Sequence, residues 1–316
     1  MAATSVGLVE TNRVRLEVTE AGAGPVVVLL HGFPELAYSW RHQFEPLAEA
    51  GFHVVAPNQR GYGASSKPEP IEAYAVEELA ADVAGLIRHF GGPAVVIGHD
   101  WGAPVAWHTA LRYPELVRAV GSLSVPHAAR ASAPPLELMR AAAGPDHTHY
   151  IDYFQQPGVA EAEFEADVED SISGFVWSIS GDAPPDERFK PIPRGRRFIE
   201  SFKPPANLPS WFTAADLNVY ASAFRESGFR GGLNWYRNVN RNWEQSADLA
   251  GAKVQQPALF VTGSRDPARN PLAMERLRDV APDLRVFEVL DACGHWTQQE
   301  RPAEVTRLLK TFLLGL

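Results

Sequence analysis

Cysteine is almost missing: the chain of 316 residues has one, Cys293. A lone thiol excludes an intrachain disulfide and a cysteine-rich zinc site. It fits a reducing compartment, and a cytoplasmic protein is the default expectation. Long apolar runs are also missing. The longest, such as Val26–Leu30, fall far short of the ~20 residues needed to span a bilayer, so no membrane partner is expected. The opening stretch MAATSVGLVETNRVRLEV has no basic segment followed by an apolar one, so no signal peptide is expected. Positive charge is in deficit, with 29 Lys and Arg against 38 Asp and Glu, which argues against a nucleic-acid partner. The one dense basic cluster, Arg194, Arg196 and Arg197, is short and proline-flanked, and reads as a solvated loop.

What is present is strand–helix alternation. Short β-branched runs recur at Val26–Leu30, Val54–Ala56, Val95–Ile97, Val117–Leu123, Ala258–Val261 and Leu284–Leu290. Near-continuous apolar runs of this kind suit strands of a parallel sheet covered on both faces. Helical spacing appears over Val76–Phe90, Ala103–Arg112 and Ala303–Leu314. The pattern predicts an α/β fold with a mostly parallel sheet flanked by helices. It breaks between about Pro126 and Ser246, where prolines and aromatics replace strand-like runs. Residues 1–126 and 247–316 therefore read as one core, and 127–246 as a mostly helical insertion. No internal repeat or low-complexity tract is visible.

The strand Val95–Ile97 runs straight into Gly98-His99-Asp100-Trp101-Gly102, with a helix after it. This is the nucleophile turn of the α/β-hydrolase fold, small residues flanking a reactive one. Its centre is aspartate, not serine. A carboxylate attacks saturated carbon and leaves an alkyl ester, which water must then cleave. Taken alone, Asp100 could merely cap the following helix. Two partners argue otherwise. His295 follows the strand Leu284–Leu290, and Asp266 follows Ala258–Val261, in the chain order expected for nucleophile, acid and histidine. His295 would activate water, and Asp266 would fix its tautomer. Asp291 is the rival acid, but it shares a loop with the histidine. Cys293 has no nucleophile turn around it and reads as packing. Backbone N–H groups of Phe33, in His31-Gly32-Phe33-Pro34-Glu35, and of Trp101 are the candidate oxyanion donors. Pro34 would fix that loop through a cis peptide.

These residues resemble the soluble epoxide hydrolase branch of the α/β-hydrolase superfamily over almost the whole chain. The resemblance rests on HGFPE (31–35), RGYGAS (60–65), GHDWGAP (98–104), YIDYFQQPG (150–158), GFRGGLNWYRN (228–238) and CGHW (293–296). It implies that the insertion is a helical cap. It also implies that two cap tyrosines, Tyr150 and Tyr236, donate protons to the epoxide oxygen as the ring opens. Tyr153 and Tyr220 are the rivals and are assigned to packing. Glu35 and His149 resemble polar residues that line the site in some members. Asn58 departs from the aspartate often found there, and no mechanistic role follows from it. The implied partners are a small apolar epoxide and water, with no cofactor and no metal, in a monomer or homodimer. The chain is expected to begin directly at the hydrolase core.

A haloalkane dehalogenase would share Asp100, Trp101 and His295. It typically carries Asn or Glu where Phe33 stands, and a fluoroacetate dehalogenase carries Arg where Trp101 stands. A ligand-binding relative without activity is the remaining alternative, and the full set of five side chains argues against it.

Overall fold

The computed structural model describes residues 4–316. Ten strands occur among them: β1 (Thr4–Thr11), β2 (Val14–Ala21), β3 (Val26–Leu30), β4 (His53–Asn58), β5 (Ala94–His99), β6 (Val117–Leu123), β7 (His147–Thr148), β8 (Ile192–Pro193), β9 (Ala258–Gly263) and β10 (Leu284–Leu290). Eight form one sheet in the order β1-β2-β4-β3-β5-β6-β9-β10. It is parallel from β4 to β10, and β2 runs antiparallel to both of its neighbours. β7 and β8 pair separately.

Every residue of β3, β5 and β9 is buried, which is what helices on both faces of a parallel sheet require. The helix Val76–His89 shows how one such layer forms. Val76, Leu79, Val83, Leu86 and Ile87 recur at helical spacing and are buried. Each contributes roughly 1.5–3 kcal/mol by leaving water. Glu77 and Glu78 begin the helix and Arg88 and His89 end it, in the sense that suits its dipole. Its N-terminus has no side-chain cap from its own flank. Instead the Val76 N–H donates to Asn242 Oδ1, 2.9 Å away on the insertion. Val83→Asp would put an unpaired charge among these apolar groups and dissolve the layer.

One expectation needs correction, and one element adds to the pattern. β10 is the outer edge of the sheet, not a strand covered on both faces: Arg285, Phe287 and Glu288 are exposed. The β1–β2 hairpin was not anticipated. Its signal was there in the alternation Val14, Leu16, Val18 against Arg15 and Glu17. Its turn has Asn12 and Arg13 at φ of 38° and 64°, the paired positive angles of a tight hairpin.

Between β6 and β9 the chain leaves the sheet and builds seven α-helices, from Pro135–Ala143 to Val239–Gln245, with the small β7–β8 pair. An aromatic cluster holds this layer: Phe164 stacks on Phe229 at 4.7 Å, and Phe229 on Phe224 at 4.5 Å. The strands β3, β5, β9 and β10 all point their C-terminal ends toward it, the end where open α/β sheets place ligands.

Candidate active site

At the end of β5 the backbone turns so tightly that Asp100 sits at φ 50°. A non-glycine residue there costs about 1–3 kcal/mol, and the cost persists only where surrounding structure enforces it. The flanks show what enforces it. A Cβ on Gly98 would run into the backbone of Gly102, and one on Gly102 into the carbonyls of Leu30 and His31. Gly32 approaches from the neighbouring strand end, and a Cβ there would overlap the Asp100 carboxylate. The nucleophile turn and the β3 loop are thus in backbone contact. The Phe33–Pro34 peptide in that loop is cis.

The close approach puts the Phe33 N–H 2.8 Å from Asp100 Oδ1, to which it donates. Asp100 Oδ2 lies 3.3 Å from His295 Nε2, and His295 Nδ1 lies 3.0 Å from Asp266 Oδ1. Asp266 Oδ1 also accepts from the Ala268 N–H at 2.8 Å, so the acid is fixed in place. Burial alone would push the His295 pKa down. The charge of Asp266 and the bonds to both carboxylates outweigh burial and raise it well above its ordinary value. For Asp100, burial pulls upward and is overcome by His295, His99 and the Phe33 N–H, which hold the carboxyl below its usual range. The resting site is therefore a buried carboxylate–imidazolium pair.

A cavity of about 530 Å³ opens over this pair, with Phe33, Asp100, His149, Tyr150, Tyr236 and His295 in its wall. Its size and mostly apolar lining suit a small organic ligand. The Tyr150 and Tyr236 rings lie 6.0 Å apart. Burial and the Asp100 charge raise the pKa of both phenols, so both carry their protons at neutral pH. Tyr236 stands edge-on to Phe33 at 5.4 Å and to Trp101 at 5.1 Å. His149 stacks on Tyr150 at 4.9 Å, and its Nδ1 accepts from the Ile151 N–H.

Glu35 does not line the cavity. It is buried behind Asp100, accepting from the Gly32 N–H, from His99 and from the side chains of Gln298 and Gln299. Tyr153 and Tyr220, assigned to packing, bond through their hydroxyls to Glu163 and Gln299. Cys293 is fully buried, and burial raises its thiol pKa further from reactivity.

Three supporting residues were missed at the sequence level. His99 reaches Glu35 through Nδ1 at 2.7 Å and the His295 carbonyl through Nε2 at 2.8 Å. Both partners are oxygen acceptors. Ser124 Oγ donates to the same carbonyl at 2.6 Å. Glu300 accepts from the N–H groups of Gly294, Trp296 and Gly181, clamping the histidine loop to the insertion. Only His99 carried a readable signal, a polar residue ending an otherwise apolar buried strand.

A family model described as the α/β hydrolase fold matches residues 25–159. The chain is 47% identical to epoxide hydrolase A of Mycobacterium tuberculosis, covering 100% of this chain and 99% of that protein. It is 41% identical to bifunctional epoxide hydrolase 2 of Sus scrofa, spanning 95% of this chain but 53% of that longer protein. Among solved structures, epoxide hydrolase A from Mycobacterium thermoresistibile is similar with a TM-score of 0.94 and 49% identity, covering 99% of both chains. An epoxide hydrolase from an endophytic Streptomyces is similar at a TM-score of 0.95 and 43% identity, over 99% of this chain and 96% of that one.

Proposed function

The chain belongs to the epoxide hydrolases of the α/β-hydrolase fold, and from that premise we propose which of its residues carry the reaction. An epoxide becomes a vicinal diol in two stages, formation of a covalent ester on an aspartate and its hydrolysis. Asp100 is the nucleophile. Its Oδ1 is held by the Phe33 N–H, so Oδ2, on the His295 side, is the oxygen assigned to attack an epoxide carbon. As the C–O bond breaks, Tyr150 and Tyr236 hydrogen-bond the departing oxygen and supply its proton. An alkoxide is a poor leaving group without such a donor.

Alkylation then changes the electrostatics. The ester is neutral, so His295 loses one of the two carboxylates that raised its pKa. Its affinity for a proton falls at the moment a base is needed, and the proton it releases restores the phenol that gave its own to the departing oxygen. Neutral His295, oriented by Asp266, takes a proton from water as that water adds to the ester carbonyl. The charge on the former Oδ1 is met by the N–H groups of Phe33 and Trp101. Collapse releases the diol and returns Asp100 as carboxylate. Glu35 and His149 hold the surroundings, Glu35 through His99 and His149 through its stack on Tyr150.

The observation that carries this reading is one cavity walled by Asp100, His295 and both phenols. Dehalogenation shares the nucleophile and the base but has no use for paired phenols. All the reacting groups come from one chain, so a monomer or a homodimer would serve equally. The helical insertion 127–246 acts as a cap over the core 1–126 and 247–316. Among the described residues no helix is long and apolar enough to cross a membrane. The reading extends to a cytoplasmic enzyme that clears reactive apolar epoxides.

The test is a single turnover in oxygen-18 water with excess enzyme. Label is expected in the Asp100 carboxylate and not in the first diol released, and His295→Gln is expected to accumulate an ester visible by intact mass. Label passing directly into that diol would sink the covalent assignment.

A further inference from the structure

A second cavity, of about 570 Å³, lies on the other side of the nucleophile turn. Of the active-site residues, only Trp101 lines it. It is a seam between core and insertion. One wall is a stripe of the helix Gly102–Arg112, with Pro104, Trp107 and Leu111 at spacings of three and four. The facing wall is the helix Val239–Gln245, and the loop after β6 closes one side.

The walls are aromatic. His127 lies parallel to Trp107 with ring centroids 5.3 Å apart, and Trp243 faces in from the insertion. His127 is neutral near pH 7, because burial pushes its pKa to about 4. Of the charged side chains in the lining, Lys253 and Asp279 offset one another, which leaves Arg130. The Arg130 guanidinium lies over the Trp243 ring, its Cζ 3.8 Å from the centroid. Its Nε donates to the Trp243 carbonyl at 3.1 Å, and Trp243 Nε1 donates to the Ala131 carbonyl at 2.7 Å. The guanidinium is thus held in one plane by its face and by Nε, while its two terminal nitrogens donate to no acceptor among the described residues. A rigid fork presented edge-on beside an aromatic slot is the arrangement that pairs with a planar carboxylate.

We propose that this seam is a second small-molecule site that takes an aromatic or alicyclic carboxylate, its ring between Trp107 and Trp243 and its carboxylate on the terminal nitrogens of Arg130. The site also communicates. Trp101 is a wall of the seam, and its indole touches Tyr236 edge-on. A ligand that shifts or stiffens this indole alters the acid without entering the substrate cavity, so occupancy changes turnover by an effect that excess substrate does not remove.

The probe is 1-naphthoate, titrated calorimetrically into enzyme saturated with phenylethane-1,2-diol to fill the substrate cavity. One bound naphthoate per chain is expected in the presence of the diol. Arg130→Gln should weaken it at least tenfold, and the neutral 1-naphthalenemethanol should bind at least tenfold more weakly than the acid. Leu111→Trp should abolish binding by filling the slot, with a wild-type circular dichroism spectrum and melting temperature as the check that it folds. If that variant does not fold, Ala128→Phe serves the same purpose. In the wild type naphthoate should change kcat severalfold, and in Arg130→Gln it should not. Displacement of naphthoate by the diol, equal affinity in Arg130→Gln, or no binding at millimolar naphthoate would each overturn the proposal.

Discussion

The carboxylate half of the site and the phenol half are held in place by different forces. Asp100, His295 and Asp266 follow strands, and directed hydrogen bonds fix them: Phe33 N–H on Asp100, Ala268 N–H on Asp266, His99 and Ser124 on the His295 carbonyl. Tyr150 and Tyr236 come from the helical insertion, and ring contacts position them. Tyr236 leans on Phe33, Trp101 and Phe154, and Tyr150 on Phe154, Phe189 and His149. Four other tyrosines spend their hydroxyls on protein acceptors, Tyr38 on Asp216, Tyr74 on the Pro68 carbonyl, Tyr153 on Glu163 and Tyr220 on Gln299. The two cavity phenols give theirs to no carboxylate or backbone carbonyl. A nucleophile needs one fixed trajectory, whereas a proton donor must follow an oxygen as it departs. Hydrogen bonds suit the first need, and packing with a free hydroxyl suits the second.

The largest expected effect tests the phenol half. Replacing both tyrosines by phenylalanine keeps every ring contact and removes only the proton donors. The rate of ester formation should drop about 10⁴-fold or more, near 5 kcal/mol of barrier. Thermal stability should stay near the wild type, because no protein acceptor loses a partner. Stopped-flow and calorimetry on the single and double variants check this. An active double variant would remove the epoxide-specific part of the assignment.

Gly32→Ala breaks the carboxylate half without replacing a reacting group. The new Cβ falls on the Asp100 side chain, so the carboxylate must turn away from the Phe33 N–H or the β3 loop must retreat. Either response misplaces the nucleophile, and a loss of about 10²-fold in kcat is expected, since a displacement of about 1 Å costs that much. An active Gly32→Ala enzyme would show that the directed bonds do not set the trajectory.

How far each half could be read from the sequence follows from the same contrast. The nucleophile turn was legible because backbone crowding imposes Gly98 and Gly102 on either side of Asp100, within five residues. The strand ends then located His295 and Asp266. Residues acting on backbone groups from far along the chain were fainter: Ser124 and His99 reach the His295 carbonyl across 171 and 196 residues; nothing local marks Ser124, and His99 shows only as a polar residue ending an apolar strand. Tyr150 and Tyr236 could be singled out only by resemblance, because a packed ring looks alike in a core and in an active site. The β1–β2 hairpin shows only in the alternation of buried Val14, Leu16 and Val18 along β2.

A pH experiment separates the buried polar groups next. His31 is fully buried beneath the β3 loop, accepting the Gln59 N–H at 3.0 Å. Burial lowers its pKa from 6.5 to about 4, against the pull of the Gly32 carbonyl and of Glu35 and Asp100. The unfolded chain therefore takes up this proton first. Stability from His31 is present above pH 6.5 and is lost as pH falls toward 4, by up to roughly 3 kcal/mol. Asp100 adds a loss in the same direction at lower pH, where its depressed carboxyl titrates. His295 has the opposite sign. Its raised pKa gives stability below 6.5 that fades as pH climbs through the folded value. Urea unfolding at pH 7 and 4.5 should show the acid loss, and His31→Gln should flatten the curve between them. A curve unchanged in that variant would remove His31 from the account.

The smallest effect separates packing from chemistry within the histidine loop itself. Cys293 lies two residues before His295, fully buried, and its Sγ makes only a 3.7 Å contact with the Gly294 carbonyl. The loop is set by other groups: Glu300 on the N–H groups of Gly294 and Trp296, and the Ile179 carbonyl on that of His295. Cys293→Ala removes a small apolar volume and no directed bond. It should cost about 1 kcal/mol of stability and leave kcat and its pH profile within twofold. Denaturant titration and steady-state rates check both. A Cys293→Ala enzyme with normal stability but impaired turnover would mean that core packing also sets the histidine trajectory, and that the division between directed bonds in the core and packed rings in the insertion is drawn in the wrong place.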